Sequence, residues 1–98
     1  MNNFKKHAHA LILMIDEILK EKGKSRYWLS KQTGISQGQL SQYFNLDVTP
    51  GLDVYLKLLH TLDVIIFFED KENDTDLAKL FNQAMDALGR RNNKLRNN

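Results

Sequence analysis

The residues best suited to recognition chemistry are the amide and hydroxyl side chains of segment 36–42, whose sequence is SQGQLSQ. A glutamine side chain can bond N6 and N7 of adenine together, a bidentate contact that discriminates among bases in the major groove of duplex DNA. A serine hydroxyl can reach a base edge or a phosphate. Taken singly, each glutamine is more simply an ordinary exposed helix residue, so the interpretation depends on the elements that position this segment.

Two short helices joined by a tight turn are predicted around this segment. Ser25 is a good N-cap for a helix over 26–33, and Ser36 is a good N-cap for a helix over 37–44. Gly34 lies between them and permits a backbone conformation that is costly for other residues, so it supplies the turn. This arrangement predicts a helix-turn-helix whose second helix carries the glutamines.

Amphipathic patterns predict three further helices. After a frayed start over 1–6, apolar residues recur at three- and four-residue steps as far as Gly23, a natural C-terminal stop. A final helix is predicted over 75–88, ended by Gly89, and residues 92–98 are expected to be disordered. The remaining helix, over 52–62, has a predicted buried stripe made of Leu52, Tyr55, Leu56, Leu59 and Leu62.

One apolar run differs in character from the helices. Five consecutive β-branched or aromatic residues favour a strand, and the chain contains no second convincing strand to pair with it. The simplest remedy is the same strand, over 64–69, from a second copy related by a two-fold axis. The alternative is that the run begins a short helix. The expected dimerisation residues are Val64, Ile65, Ile66, Phe67 and Phe68.

The charge is unevenly distributed although the formal net charge is only +2. Residues 1–45 carry seven Lys/Arg against three Asp/Glu, residues 46–88 carry three against nine, and residues 89–98 carry four basic residues and no acid. The basic first part contains the predicted helix-turn-helix, as expected for a surface that faces phosphate. Ordinary scatter of charge on solvated faces is the simpler alternative for this observation alone.

Several classes of protein are disfavoured by composition. The absence of cysteine excludes disulfides and thiolate metal sites. His7 and His9 are two residues apart and point to different faces of a helix, so we expect no metal and no cofactor. We find no phosphate-binding glycine loop, paired carboxylates or activated nucleophile, and expect no enzyme. The apolar run 10–15 is too short for a membrane span and lacks the features of a signal peptide, so a cytoplasmic location is expected.

Segment 25–64 resembles the helix-turn-helix domain of the Cro and phage-repressor type, also called the xenobiotic-response-element type. Residues 29–36, LSKQTGIS, match its pattern of a leucine, a small residue, three variable positions, a glycine, an aliphatic residue and a polar cap. Residues 50–64 match its proline-led fourth helix. With 11–23 as the first helix, the resemblance covers more than half of the chain.

The resemblance implies an all-α, lambda-repressor-like fold of five helices, in which 1–70 form the DNA-binding domain and 71–98 an extra helix with a flexible basic tail. The positions that face DNA bases in the family correspond to Gln37, Gly38, Gln39 and Gln42, to which we add Ser41. Candidate phosphate contacts are Ser25, Arg26, Lys31, Ser36, Asn45 and Thr49.

The chain departs from the family pattern at three positions. Ser30 replaces the more usual alanine, and Gly38 weakens the reading helix by about 1 kcal/mol while removing one side chain from the groove. Phe44 occupies a position that is often Glu and pairs with a later Arg, which the loop 45–49 also lacks. These departures affect the list of contacts and leave the fold expectation unchanged.

The sequence therefore predicts a bacterial or phage-encoded transcriptional regulator that represses a promoter by binding a palindromic operator as a homodimer. The run after the fourth helix is also similar to a subset of the family, the antitoxins of the high-persistence toxin–antitoxin type. The alternative function is accordingly an antitoxin or another protein-binding regulator that also controls its own promoter. The simplest interpretation of the apolar face of 75–88 is that it folds back on the dimer core, and the alternative is that a toxin or antirepressor docks on it. Neither function involves a membrane.

Overall fold

The computed structural model describes residues 3–67 and 69–96, which form five helices and, within these described residues, no strand. The all-α class is therefore confirmed, and the two helices of the predicted helix-turn-helix have the predicted bounds. The helices are α1 (Asn3–Glu21), α2 (Arg26–Thr33), α3 (Gln37–Phe44), α4 (Leu52–Thr61) and α5 (Leu77–Arg96).

The chain divides into two compact units, Met1–Ile65 and Ile66–Asn98. The first unit packs α1, α2, α3 and α4 around one apolar core, with α2 in contact with both α3 and α4. Each helix contributes large side chains that are almost completely buried. These are Ile15 and Leu19 from α1, Leu29 from α2, Leu40 from α3, Leu58 from α4, and Leu62 directly after it.

α1 ends as the sequence predicts and begins earlier than predicted. Gly23 adopts a left-handed conformation with φ +66°. Its N–H donates to the carbonyl of Lys20 at 3.1 Å, and the N–H of Lys24 donates to the carbonyl of Leu19 at 2.8 Å, so the last carbonyls of the helix are satisfied. The expectation of a frayed start was wrong for 3–6, which are helical.

The buried stripe of α4 differs from the predicted one. Leu52 is 75% exposed and Leu56 is 46% exposed, whereas Leu58 is buried together with Leu59 and Leu62. Apolar residues occupy enough positions of α4 to form two overlapping stripes at helical spacing, so periodicity alone does not select between them. Packing of α4 into the core shared with α1 and α2 selects the stripe that contains Leu58.

A tyrosine of α4 connects this helix to α1. The hydroxyl of Tyr55 donates to the carbonyl of Leu11 at 2.8 Å. Desolvation by burial raises the pKa of Tyr55 above its usual value, so the hydroxyl remains a donor throughout the neutral range. The contact bridges 44 residues of sequence and helps to fix the angle at which α4 meets α1.

The described residues of 64–69 do not form the predicted strand. Residues 64–67 and 69–70 have no regular structure, and Phe68 lies outside the described residues. Val64 packs against the core of the first unit, and its N–H donates to the carbonyl of Leu59 at 3.0 Å. A strand requires a neighbour for its backbone groups, and the described part of the chain contains no other strand. Ile65, Ile66 and Phe67 are exposed.

α5 is longer than predicted. It continues through Gly89 to Arg96, so the predicted stop at Gly89 was wrong, as was the expected disorder of 92–96; residues 97 and 98 lie outside the described residues. A glycine inside a helix costs only about 1 kcal/mol, and the basic residues that follow it suit the negative end of the helix dipole. Within the described residues, none of the helices has both the length and the apolar character that a membrane span requires.

The position of the buried stripe in α4 can be tested with two leucines of that helix. Leu58→Ala should lower the free energy of unfolding by about 2–5 kcal/mol, because it removes a side chain from a close-packed core. Leu56→Ala makes the same chemical change at a half-exposed position and should cost less than about 1 kcal/mol. Denaturant unfolding followed by circular dichroism measures both. Equal costs would contradict the packing described above.

Candidate nucleic-acid interface

Both helices of the helix-turn-helix begin at serine caps. The Oγ of Ser25 accepts a hydrogen bond from the N–H of Trp28 at 2.9 Å, and the Oγ of Ser36 accepts one from the N–H of Gln39 at 3.1 Å. Each cap residue has an extended backbone, as N-caps require. The two predicted caps are confirmed. The Ser36 cap fixes where α3 starts, which determines the residues on its first turn.

The turn between α2 and α3 is fixed by a glycine and two hydroxyls. Gly34 adopts φ +79°, and its N–H donates to the carbonyl of Ser30 at 2.9 Å. The hydroxyl of Ser30 donates to the carbonyl of Ile35. The hydroxyl of Thr33 donates to the carbonyl of Leu29 at 2.8 Å and accepts from the N–H of Ile35 at 3.2 Å. The backbone around Ile35 is therefore held from both sides.

These hydroxyl contacts were not predicted from the sequence. Ser30 was interpreted only as a small residue that lets two helices approach, whereas it is also a hydrogen-bond donor to the turn. Thr33 is the buried polar residue of the described core and occupies a position treated as variable. The signal available in the sequence was the hydroxyl type of both residues just before a turn glycine, a pattern that often bonds to the local backbone.

α3 has one buried side and one outward side. Leu40, Tyr43 and Phe44 pack into the core of the first unit. The five other residues of α3 form its outward side, and they are the predicted base-reading residues. Gln37, Gly38 and Gln42 are exposed, and Gln39 and Ser41 are half-buried beside them. The structure thus brings the five predicted base-reading residues together on an uncharged amide and hydroxyl surface.

Gly38 lies on this outward surface in an environment that would accept a side chain. A Cβ built on Gly38 would meet only the Oγ of Ser36, at the ordinary contact distance of 3.9 Å. The φ of Gly38 is not in the left-handed region. The backbone at position 38 therefore does not require glycine. The backbone at position 34 does require it, because its φ is left-handed.

Arg26 joins three helices. Its guanidinium donates to both carboxylate oxygens of Asp16 in α1, at 3.0 and 3.3 Å, and lies over the ring of Phe44 in α3, 4.6 Å from its centroid. Asp16 also lies 3.9 Å from the Nζ of Lys20. Phe44 was noted as a departure from the family pattern, and the structure gives it a cationic partner from α2. Asp16 was missed, because residues ten positions apart on different helices share no local pattern.

The other predicted phosphate contacts are all at the surface, and their contact with DNA stays a prediction. Lys31 extends over the ring of Tyr27, with its Nζ 5.3 Å from the centroid, and Lys24, which was not predicted, lies 5.0 Å from the centroid of Trp28. Both cations are held at the exposed side of α2 by aromatic faces. The remaining predicted residues, all exposed, are Ser25, Ser36, Asn45 and Thr49.

Substitution by alanine should have opposite effects on stability at two glycines. Gly34→Ala should lower the free energy of unfolding by about 1–2 kcal/mol, since φ +79° is a left-handed conformation. Gly38→Ala should raise it by up to about 1 kcal/mol, because a helical position with open space gains helix propensity. Denaturant unfolding of both variants provides the comparison. A destabilised Gly38→Ala protein would show that the outward surface of α3 has a steric constraint that the structure lacks.

Comparison with known proteins supplies the family. The family model for helix-turn-helix proteins of the Cro and phage-repressor type matches residues 15–64, just over half of the chain. No curated protein and no solved structure is significantly similar to it. The matched segment begins within α1 and ends after α4, so it contains both serine caps and the turn between α2 and α3. The chain belongs to the Cro and phage-repressor type of helix-turn-helix proteins, the xenobiotic-response-element family, whose members bind DNA and regulate transcription.

Proposed function

We propose that this protein is a repressor that binds a palindromic operator in duplex DNA as a dimer, and that it acts by binding rather than by catalysis. The observation that carries the proposal is the outward side of α3, which presents amide and hydroxyl groups and no charge. Such groups form directional hydrogen bonds with base edges, and a glutamine amide matches the paired acceptor and donor of adenine.

The first turn of α3 and the residues after it are proposed to lie in the major groove. Gln37 and Gln42 are the exposed glutamines of this surface, and a glutamine matches the paired acceptor and donor of adenine. Gly38 lies between them and leaves room for the edge of the groove to approach the helix. We therefore propose that the half-site contains adenine at the positions opposite Gln37 and Gln42.

A dimer would read two half-sites. Two related reading helices need a separation of about 34 Å, one turn of DNA, to contact the same face of the duplex. Phosphate contacts from α2 and from the loop after α3 are proposed to set the register, with candidates at Arg26, Lys31 and Asn45. Because α3 itself is neutral, these flanking groups supply the salt-dependent part of the affinity.

The first experiment selects the protein's preferred duplexes from a random pool and then measures binding of α3 variants to the selected sequence. Gln37→Ala and Gln42→Ala should each relax the base preference at one position per half-site, with a loss of about 1–3 kcal/mol for each bidentate pair. Gln32→Ala is the matched control, since Gln32 is an exposed glutamine on α2 outside the proposed reading surface. Selected and scrambled duplexes that bound equally would contradict sequence-specific regulation.

The role of Arg26 requires a second experiment, because its guanidinium already bonds to Asp16. If Arg26 also contacts phosphate, Arg26→Ala should weaken binding to all duplexes and reduce the slope of log affinity against log salt by about one. Asp16→Asn removes the ion pair and keeps the guanidinium, so it should preserve or strengthen DNA binding.

The two variants also separate a phosphate contact from a purely structural one. If Arg26 only connects α1 with α3, both variants would lower the free energy of unfolding, by about 1 kcal/mol for a partly exposed pair. In that case the salt slope would stay at the wild-type value in both. That result would remove Arg26 from the list of phosphate contacts.

A further inference from the structure

α5 presents a broad apolar face to solvent. Leu80 is 50% exposed, Phe81 52%, Met85 52% and Leu88 48%, and these residues fall on one side of the helix together with Ala84. Lys79 and Asp86 lie on the opposite side. An exposed face of this kind on a helix marks a surface for interaction with another apolar surface.

We propose that this face pairs with α5 of a second copy of the chain, antiparallel to it, around a two-fold axis that passes between residues 82 and 83. This contact would be the interface of the proposed DNA-binding dimer. It rests on the proposed function only in so far as the dimer is said to bind an operator. A two-fold contact must be self-complementary, which places specific demands on the sequence of α5.

The apolar residues of α5 meet the first of these demands. With the axis between 82 and 83, each large apolar residue of one copy faces an apolar residue of the other. The bulky Phe81 faces the partner's Ala84, whose side chain is small, as interdigitated packing requires. The remaining facing pairs of this register are Leu77 with the partner's Leu88, and Leu80 with the partner's Met85.

The charges at the two ends of α5 meet the second demand. Residues 69–76, before the helix, contain five Asp/Glu and one Lys, whereas residues 89–96 contain four Lys/Arg and no acid. An antiparallel pair brings the acidic end of one copy to the basic end of the other, and it also opposes the two helix dipoles favourably. A parallel pair would bring like charges together at both ends, so the charge pattern favours the antiparallel arrangement.

A groove at the start of α5 supports the same register. It has a volume of about 250 Å³ and is lined by Ile66, Phe67, Leu77, Ala78 and Phe81, all within the second unit. Since the partner's Leu88 faces Leu77 in the proposed register, that leucine would enter the groove. The two-fold axis would fill two such grooves at once. A second copy is thus favoured over an unrelated protein, because the acidic segment, the basic end and the groove all find their complement within the second unit of another copy.

The test uses the full-length protein without DNA, so that its outcome is independent of the DNA-selection experiment. Sedimentation velocity over a wide range of concentration should show a reversible monomer–dimer equilibrium. Leu80→Glu and Met85→Lys should each weaken dimerisation by about tenfold or more, since each places an unpaired charge in the interface. Circular dichroism verifies that each variant keeps the helix content of the wild-type protein.

The double variant Leu80→Glu/Met85→Lys tests the register itself. In the antiparallel pair each new Glu faces the partner's new Lys, so dimerisation should recover most of what either single change loses. In a parallel pair Glu would face Glu and Lys would face Lys, and the double variant would be the weakest of all. Lys79→Glu is the matched control on the opposite side of α5 and should leave the dimer unchanged.

Three results would overturn the proposal. A wild-type protein that stayed monomeric at every concentration would remove the second copy as the occupant of this face. A double variant no stronger than the single variants would exclude the antiparallel register. A dimer that survived Leu80→Glu but was lost in Ile65→Asp would locate the contact in the segment 64–69 instead of α5, since Ile65 is 74% exposed and lies outside α5.

Discussion

The structure depends most on the short turn that sets α3 against α2. Gly34 supplies a left-handed backbone conformation, and the hydroxyls of Ser30 and Thr33 bond to the backbone of Ile35 from two sides. Ile35 in turn packs against the core. A turn that is both sterically specified and held by these hydrogen bonds leaves the angle between the two helices little freedom. The outward side of α3 is displayed in one orientation because of this constraint, which is the preorganisation that base recognition requires.

Charged side chains lie on the elements that flank α3 and not on α3 itself. α3 contains no charged residue, whereas Arg26 connects its Phe44 to Asp16 of α1. Lys24 and Lys31 lie over aromatic rings of α2. In the proposed mode of action, this separation divides the tasks: neutral amides discriminate among bases, and cations on neighbouring elements attract the phosphate backbone. The weak formal net charge of +2 conceals that arrangement.

Features that depend on a few adjacent residues were predictable from the sequence, and features that depend on tertiary packing were not. Ser25, Ser36, Gly23 and Gly34 act through local backbone geometry, and all four behave as predicted. The buried side of α4 was misassigned because two apolar stripes overlap and only packing against the neighbouring helices decides between them. The bond of Arg26 to Asp16 joins two helices and leaves no local signal. The segment 64–69 has the composition of a strand but lacks a neighbouring strand, and composition alone does not provide one.

The central claim is that the outward side of α3 contacts the bases of a specific duplex, and nuclear magnetic resonance tests it most directly. Titration of the ¹⁵N-labelled protein with its selected duplex should shift the side-chain amide signals of Gln37, Gln39 and Gln42, together with the backbone amides of 36–42, more than any signal of α5. A scrambled duplex should leave the three glutamine side-chain signals nearly unchanged. Equal shifts with both duplexes, or shifts confined to residues outside α2 and α3, would contradict the account.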